Sequence, residues 1–387
     1  MTDPIDGEIR ALVATLVESG PLPPPFPTGP TPGGGRRPRR ARMAVALAVV
    51  LIAIVVAYVA VTRRSGPTDV ATGPDRSPTG QLIVVDDGSA HTTLIGASSG
   101  AARVVELPHR TGGDFSYAIL ATGGYFVYVG DAGTWATPIT GHGSPRNLGR
   151  ASYIVPSGAP GRVWLIAGAG SDQSAATTAR EVAVDGSFLG PIRSVPTGDA
   201  VISGARGGLV LDTAEGALLW NTTDSRLGPT IVGAHRSNLV DVRGSELAWV
   251  GCTPGGGCTT LHVADLATGQ ASDYPAPPST SGWISTAGEG SRDAFSPDGR
   301  HLAVRAAAAT GGTSASNVYV IDLTTGTTVL VPDTAAGPYS RIAWLAGDGG
   351  IVSQLDDGTV KVNNVTNNTT RSLAKAPSGV AILTTPA

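Results

Sequence analysis

Charged and aromatic side chains are scarce in this chain of 387 residues, making up only 15% and 5% of it. Lysine occurs only at Lys361 and Lys375, although arginine is common. The sequence contains no H-E-x-x-H, no G-x-x-x-x-G-K-[ST] and no G-x-G-x-x-G, so neither a zinc peptidase nor a nucleotide-binding enzyme is indicated. We therefore expect no metal and no other cofactor.

Charge is distributed unevenly along the chain. Residues 1–64 contain eight Arg and four acidic residues, a net charge of about +4; the whole chain has a formal net charge of -3, which leaves about -7 for the remainder. Nucleic-acid binding needs clustered Lys and Arg, because the release of counterions from phosphates drives it. The acidic remainder has no such cluster, and we expect no nucleic-acid partner.

One long segment has no charge at all. Residues 43–62 read MAVALAVVLIAIVVAYVAVT and lie between five arginines at 36–42 and the pair Arg63–Arg64. At about 1.5 Å of rise per residue, a helix of this length spans the roughly 30 Å hydrocarbon core of a bilayer. The excess of arginine before the segment predicts that residues 1–42 are cytoplasmic and that the remainder is extracytoplasmic at the plasma membrane. A cleavable signal peptide is the alternative, but its apolar region is expected to be only about 7–15 residues long.

The predicted cytoplasmic tail begins with an amphipathic segment. Asp3–Pro4 can cap and start a helix over residues 4–19 that ends at Ser19-Gly20-Pro21. Its apolar residues share one face: Ile5, Ile9, Leu12, Val13, Leu16 and Val17. A lone helix of this length is marginal in water, so it would pack on a cytoplasmic partner protein or on membrane lipid, or remain unfolded. The Pro-, Gly- and Arg-rich residues 20–42 then form a spacer.

Beyond a polar linker at residues 63–79, turn signals and short apolar segments alternate, as in all-β folds. The clearest turn combines a Pro that fixes φ, an Asp that bonds its own backbone and a Gly that accepts positive φ. It consists of Phe295, Ser296, Pro297, Asp298 and Gly299. Residues 317–331 follow with two strands joined at Thr324-Thr325-Gly326. This unit resembles the repeat of TolB-like and WD-repeat β-propellers, whose blades carry an FSPDG turn between the first and second strands and a DLxTG turn between the third and fourth.

Weaker copies of the unit recur over residues 80–387. Their number predicts a seven-bladed β-propeller, with six or eight blades as alternatives, and a pair of β-sandwiches is the alternative fold. The first copy has only three strands, and a lone strand at residues 378–386 would complete it and remove the open sheet edges. We expect Trp164, Trp249 and Trp344 to pack between blades. Tail, membrane segment and propeller together, with the preference for Arg over Lys, resemble actinobacterial membrane proteins, some of them similar to membrane-bound anti-sigma regulators.

The only two cysteines, Cys252 and Cys258, flank a loop of Thr, Pro and three Gly. Such a loop can bring the two Cα atoms within disulfide distance, and an extracytoplasmic location permits oxidation. Free thiols are one alternative, and a metal site with His262 as a further ligand is another.

No set of residues with a catalytic pattern is found. Gly96–Gly100 matches G-x-S-x-G but lies in a strand-rich region and not at a strand-to-helix turn. The six histidines are scattered singly, and the pair Asp86–Asp87 precedes a Gly and reads as a turn. We therefore predict a membrane-anchored extracytoplasmic propeller that binds a protein, peptide or glycan and is not an enzyme. The alternative is a transmembrane signalling component whose tail helix binds a cytoplasmic regulator.

Overall fold

The computed structural model describes residues 81–110, 120–168, 177–196, 200–253, 258–284, 293–308, 316–337, 341–345, 350–377 and 381–384. All of them belong to one compact unit, Ser65–Ala387. Within these ranges there are 28 strands in seven four-stranded antiparallel sheets, which are the blades of a seven-bladed β-propeller. The prediction of an all-β propeller with seven blades is confirmed.

The predicted tail helix at 4–19, membrane helix at 43–62 and linker at 63–79 lie outside the described residues. Within the described ranges, no helix has the length and hydropathy needed to cross a bilayer.

In each blade the four strands follow one another from the innermost to the outermost. Blade 1 contains β28 (Ala381–Thr384), β1 (Leu82–Asp86), β2 (His91–Gly96) and β3 (Ala102–Glu106). Blade 2 contains β4 (Leu120–Thr122), β5 (Tyr125–Gly130), β6 (Gly133–Pro138) and β7 (Arg146–Gly149). Blade 3 contains β8 (Tyr153–Pro156), β9 (Arg162–Ala167), β10 (Thr178–Ala183) and β11 (Arg193–Ser194). Blade 4 contains β12 (Ala200–Ala205), β13 (Gly208–Asp212), β14 (Gly216–Asn221) and β15 (Ile231–Val232).

The remaining blades follow the same plan. Blade 5 contains β16 (Leu239–Arg243), β17 (Glu246–Gly251), β18 (Thr260–Asp265) and β19 (Ala271–Pro275). Blade 6 contains β20 (Thr280–Ile284), β21 (His301–Ala308), β22 (Ser316–Asp322) and β23 (Thr328–Leu330). Blade 7 contains β24 (Ile342–Trp344), β25 (Gly350–Gln354), β26 (Thr359–Asn364) and β27 (Thr369–Lys375).

The carboxy-terminal strand closes the ring, as the sequence predicted. β28 pairs antiparallel with β1, with Val84 opposite Leu383 and Val85 opposite Ile382. The hydroxyl of Thr384 also donates a hydrogen bond of 2.7 Å to the carbonyl oxygen of Trp344 in blade 7. The last strand therefore joins blade 1 to blade 7.

The alternating strand directions give the ring two different faces. The turns between first and second strands and between third and fourth strands lie at one end, which we name the turn face. The loops between second and third strands and the connections from blade to blade lie at the other end, the loop face. Because β1 is the second strand of its blade, the chain enters the propeller at Leu82 on the turn face.

The hydrophobic core lies mainly between neighbouring blades. One cluster joins blades 3 and 4 around Trp164, a second joins blades 4 and 5 around Trp249, and a third joins blades 6 and 7 around Trp344. These three tryptophans are 5%, 5% and 2% exposed, which confirms that they pack between blades. Burial of large apolar side chains in this position stabilises each blade against the next.

The turn at Phe295–Gly299 lies between the first and second strands of blade 6, the place that the resemblance to propeller repeats implies. That first strand is β20, which ends at Ile284, and Phe295 reaches the sheet only through an isolated bridge to Leu302. Phe295 and Ser296 are fully buried, and Gly299 has a φ of 73°. A side-chain hydrogen bond of 2.7 Å from Ser296 to Asp298 holds the turn.

Cys252 and Cys258 are joined by a disulfide on the loop face of blade 5, with their Cα atoms 3.9 Å apart. The carbonyl oxygen of Cys258 accepts a hydrogen bond of 2.6 Å from the backbone N–H of Trp283 in β20. The bonded loop therefore also contacts blade 6.

Thiol labelling of the unreduced full-length protein is expected to leave Cys252 and Cys258 unmodified, and labelling after a mild reductant is expected to modify both. Loss of the bond should change the melting temperature little, because the entropy lost on closing a loop grows with its length and this loop is short. Mass spectrometry of the labelled peptides gives the readout. Full labelling without reductant would show that the thiols are free.

Candidate functional site

Two arginines bridge neighbouring blades in the same way. Arg103 in β3 donates hydrogen bonds of 2.6 and 2.7 Å to the carbonyl oxygens of Ile139 and Thr140 in blade 2. Arg371 in β27 donates to the carbonyl oxygens of Ala97 and Ser98 in blade 1, the second of these at 2.7 Å. In both cases the acceptors are the first two residues after the third strand of the next blade. A guanidinium has the fork geometry to bind two carbonyls at once.

The register of the paired strands identifies the residue of each blade that is equivalent to Arg103 and Arg371. Arg103 lies opposite Leu94 and Arg371 opposite Val362, each the third residue from the end of its third strand. We name the outer-strand residue opposite this point the bridging position. Arg146 in blade 2 holds it as well, opposite Ala136. Hydrogen bonds from Ser187 lower the pKa of Asp185 in the turn of blade 3, and the positive charge of Arg146 lowers it further.

Blades 4 and 5 reach their neighbours by other contacts. Gly228 lies at the bridging position of blade 4, where a Cβ atom would stand 3.2 Å from the carbonyl oxygen of Leu266 in blade 5. Tyr274 of blade 5 donates a hydrogen bond of 2.9 Å to the carbonyl oxygen of Leu323 in blade 6. Both carbonyls belong to the first residue after a third strand, so the same turn is contacted by different means.

Blade 3 has the apolar Leu189 at the equivalent place, where its N–H donates to the carbonyl oxygen of Glu181. In blade 6 the bridging position is Val329, opposite Val320 in β22. Its side chain is 55% exposed. The equivalent acceptors in blade 7 are the carbonyls of Val365 and Thr366, and among the described residues no hydrogen bond reaches either oxygen. A cavity of about 370 Å³ lies between this strand and this turn.

We name this cavity the 6/7 groove. Its blade 6 side is formed by His301, Val320, Asp322, Thr325, Thr327, Val329, Leu330 and Val331, and its blade 7 side by Val365, Thr366 and Asn368. Val320 and Val331 of the lining also belong to the apolar cluster around Trp344, and Val365 packs against it. The volume falls in the range of about 300–1000 Å³ that ligand sites occupy, and apolar walls with a few polar groups are typical of such sites.

Among the residues that the structure describes, the groove lining contains one acidic side chain and no lysine or arginine. Asp322 accepts hydrogen bonds from the backbone N–H groups of Thr325 and Thr324, at 3.0 and 2.8 Å. These bonds lower the pKa of Asp322, and the nearby His301 lowers it further. The carboxylate is therefore ionised at neutral pH and gives the groove a negative charge.

The outer strand beside the groove has an open edge. Val331 donates to the carbonyl of Val318 and Thr327 accepts from the N–H of Asp322, so alternate residues from 327 to 331 bond inward to β22. In an antiparallel pair the residues between them, Thr328 and Leu330, direct their N–H and C=O groups away from the partner strand. β23 is the last strand of its sheet, and within the described ranges no further strand pairs with it. An edge of this kind is a template for another strand.

The turn motif found in the sequence, Phe295–Gly299, is hydrogen-bonded to a residue that lines the groove. The hydroxyl of Ser296 accepts a hydrogen bond of 2.9 Å from the backbone N–H of His301, which begins β21 and lines the groove. The motif therefore positions a groove residue, and its own Phe295 and Ser296 are buried in the fold. Sequence reasoning located the turn but missed the groove.

A second polar region lies at the turn-face end of the innermost strands. Asp241 in β16 is buried and accepts hydrogen bonds of 2.9 and 3.1 Å from the backbone N–H groups of Ala294 and Phe295. Burial raises the pKa of Asp241 to about 8, and the charge of Asp293 adds to this. A cavity of about 130 Å³ beside Asp293 is lined by Thr122, Ser157, Arg162 and Thr384 among others. Because Asp241 accepts hydrogen bonds from the backbone where the Phe295–Gly299 turn begins, its contacts stabilise the fold.

The other residues singled out from the sequence have structural positions. Gly96–Gly100 is the turn after β2, and the carbonyls of Ala97 and Ser98 accept from Arg371. His262 stacks on Trp249 and contacts Asp273 at 2.7 Å. Within the described part of the chain, no group of three or more His, Cys, Asp and Glu side chains could hold a metal ion.

Comparison with solved structures supports the fold. A protein of unknown function from Desulfotomaculum acetoxidans DSM 771 superposes with a TM-score of 0.50 at 10% identity, covering 80% of this chain and 99% of that one. AztD from Citrobacter koseri gives 0.45 at 14% identity, with 79% and 97% covered. TolB from Acinetobacter baumannii gives 0.43 at 10% identity, with 82% and 69% covered. No protein-family model matches the sequence, and no curated protein matches it. At these identities the likeness shows the fold alone.

Proposed function

We propose that this protein is a membrane-anchored extracytoplasmic binding module that takes a peptide segment of a partner protein in the 6/7 groove. The observation that carries the proposal is the groove itself, where an apolar bridging residue leaves two turn carbonyls and an ionised carboxylate without the arginine found in blades 1, 2 and 7. The open edge of β23 beside the groove supports a peptide ligand, since an extended segment can add to it as a further strand. In the described part of the chain, the groove lining contains no Phe, Tyr or Trp on which a sugar ring would stack, which favours a peptide over a glycan.

A transmembrane signalling component is the second candidate, favoured by the apolar face of residues 4–19. In this function the tail helix would bind a cytoplasmic regulator such as a sigma factor. A two-hybrid test of residues 1–42 against the sigma factors of the host, with Leu12→Asp and Leu16→Asp as the control, addresses it. Equal signals from the parent tail and the double variant would contradict the tail-helix contact.

Val329→Arg is expected to abolish peptide binding by the propeller while leaving it folded. An arginine here would occupy the groove and donate to the carbonyls of Val365 and Thr366, as Arg103 and Arg371 do to their own neighbours. Peptides selected by display on the full-length protein in detergent should bind Val329→Arg at least about tenfold more weakly than the parent. Val104→Arg is the matched control, because Val104 is 54% exposed on the outer strand of blade 1. Peptides that bind all three proteins equally would contradict the groove as the site.

A further inference from the structure

The bridging arginines indicate what the 6/7 groove lacks. Blades 1 and 7 each direct a guanidinium at the first two carbonyls after the third strand of the next blade, and blade 2 has Arg146 at the same position. Blade 7 has the equivalent backbone carbonyls next to blade 6, but the residue at the bridging position of blade 6 is Val329. The groove is therefore shaped and polarised for a guanidinium that none of the described residues provides.

We propose that the 6/7 groove binds an arginine side chain from an extended segment of the partner protein, and that this arginine takes the place of the missing bridging residue. The inference rests on the proposed function and specifies its ligand.

The geometry of strand addition allows this contact. A segment pairing with the open edge of β23 lies about 4.8 Å beyond it and places alternate side chains on the face that carries Val329. In the proposed complex, an arginine side chain on that face extends toward the carbonyls of Val365 and Thr366. Its apolar stem would contact Val329 and Val365, which suits the way arginine buries its methylene groups.

Charge also favours arginine. The Asp322 carboxylate is the one acidic group of the lining, and no lysine or arginine of the described chain lines the groove to neutralise it. Hydrogen bonds from a charged donor are stronger than those between neutral groups, and a planar guanidinium satisfies two carbonyls where an ammonium acts as a point charge. We therefore expect arginine to be preferred over lysine, and lysine over an uncharged residue of the same length.

The first experiment uses a peptide copied from the chain's own bridging strand. Acetyl-Thr-Thr-Arg-Ser-Leu-amide reproduces residues 369–373 of β27, and its binding to the full-length protein in detergent is measured by calorimetry. Replacement of its arginine by citrulline keeps the shape and removes the charge, and is expected to weaken binding roughly tenfold or more. Equal binding of the arginine and citrulline peptides would overturn the inference.

Asp322→Asn provides a matched protein variant. Asn364 holds the equivalent place in blade 7 and accepts hydrogen bonds from Thr366 and Asn367, so an asparagine should keep the turn of blade 6 intact. The variant should bind the arginine peptide several-fold more weakly than the parent protein does, and its affinity for the citrulline peptide should be unchanged. An unchanged affinity for the arginine peptide would count against the inference.

The outcomes separate this inference from the proposed function. If display-selected peptides lack arginine but still lose binding in Val329→Arg, the groove remains the site and the arginine ligand is wrong. If neither selected peptides nor the arginine peptide bind, both proposals fail. If replacing Arg63, Arg64 and Arg76 by alanine raises the affinity for the arginine peptide, the linker of this chain is the occupant, and the assignment to a partner is overturned.

Discussion

Removal of residues 378–387 is expected to unfold or aggregate the propeller, whereas removal of residues 65–76 should leave its melting temperature nearly unchanged. The deleted segment contains β28, whose Ile382 and Leu383 are 0% and 5% exposed. They belong to two different apolar clusters, one shared with blade 7 and the other with blade 2. Burying one such side chain stabilises a fold by about 1.5–3 kcal/mol. The deletion loses both, and it also exposes the apolar edge of β1 to other chains.

The measurement compares the two deletions with the parent chain in detergent by near-UV circular dichroism, thermal melting and size-exclusion chromatography. Ile382→Asp is a point variant with the same expected direction, because it places a charge at a fully buried position. A chain lacking residues 378–387 that melts like the parent, with an unchanged near-UV signal, would contradict ring closure as the source of stability.

The ring closure could be predicted by counting the strands of the first and last repeats. Residues 81–107 supply three strands, and the last strand has no partner in its own unit. An open propeller would leave apolar sheet edges exposed, so pairing these two ends is the physically reasonable solution. The tryptophans between blades were predictable for a similar reason, since large apolar side chains on repeated strands need a neighbour to cover them.

Two innermost strands, β16 and β20, are hard to recognise in the sequence, and each has a physical explanation. β16 contains Asp241, a residue that rarely occupies a buried strand, and the register of the strand shifts between Leu239 and Asp241. β20 is short and has Gly282 with a φ of 140° at a register shift of its own. Charge and glycine in these positions hide the alternation on which the prediction depends.

The 6/7 groove could not be predicted from local patterns because it depends on a contact that is absent. Val329 by itself is an ordinary residue of a β-strand. When the outer strands are aligned with the third strands by their register, Val329 takes the position that Arg103, Arg146 and Arg371 hold in their own blades. The bridging residue follows the last residue of the third strand by seven positions in blades 1, 6 and 7 and by eight in blade 2, so the equivalence appears only once the ends of the third strands are known. Aligning the repeats on the last residue of each third strand is the signal that could have found it.

Sequence analysis explains only part of the role of Asp86. The pair Asp86–Asp87 does form a turn, in which both side chains accept hydrogen bonds from backbone N–H groups two residues ahead. Asp86 is, in addition, fully buried and bonded through both carboxylate oxygens to Arg110, at 2.6 and 3.0 Å. The two residues are 24 positions apart, with two strands between them, so no local pattern indicates the ion pair.

Arg110→Ala is expected to lower the free energy of unfolding by roughly 3–5 kcal/mol, because removing one partner of a buried ion pair leaves the other charge uncompensated. Chemical denaturation of the full-length protein gives the measurement. Arg226→Ala is the control, since Arg226 is 85% exposed and its contact with Asp224 is 3.6 Å long; an exposed pair contributes only about 0–1 kcal/mol. The double variant Asp86→Leu with Arg110→Met removes both charges and should recover part of the loss. If Arg110→Ala were no more destabilising than Arg226→Ala, the buried pair would not stabilise the connection between blades 1 and 2.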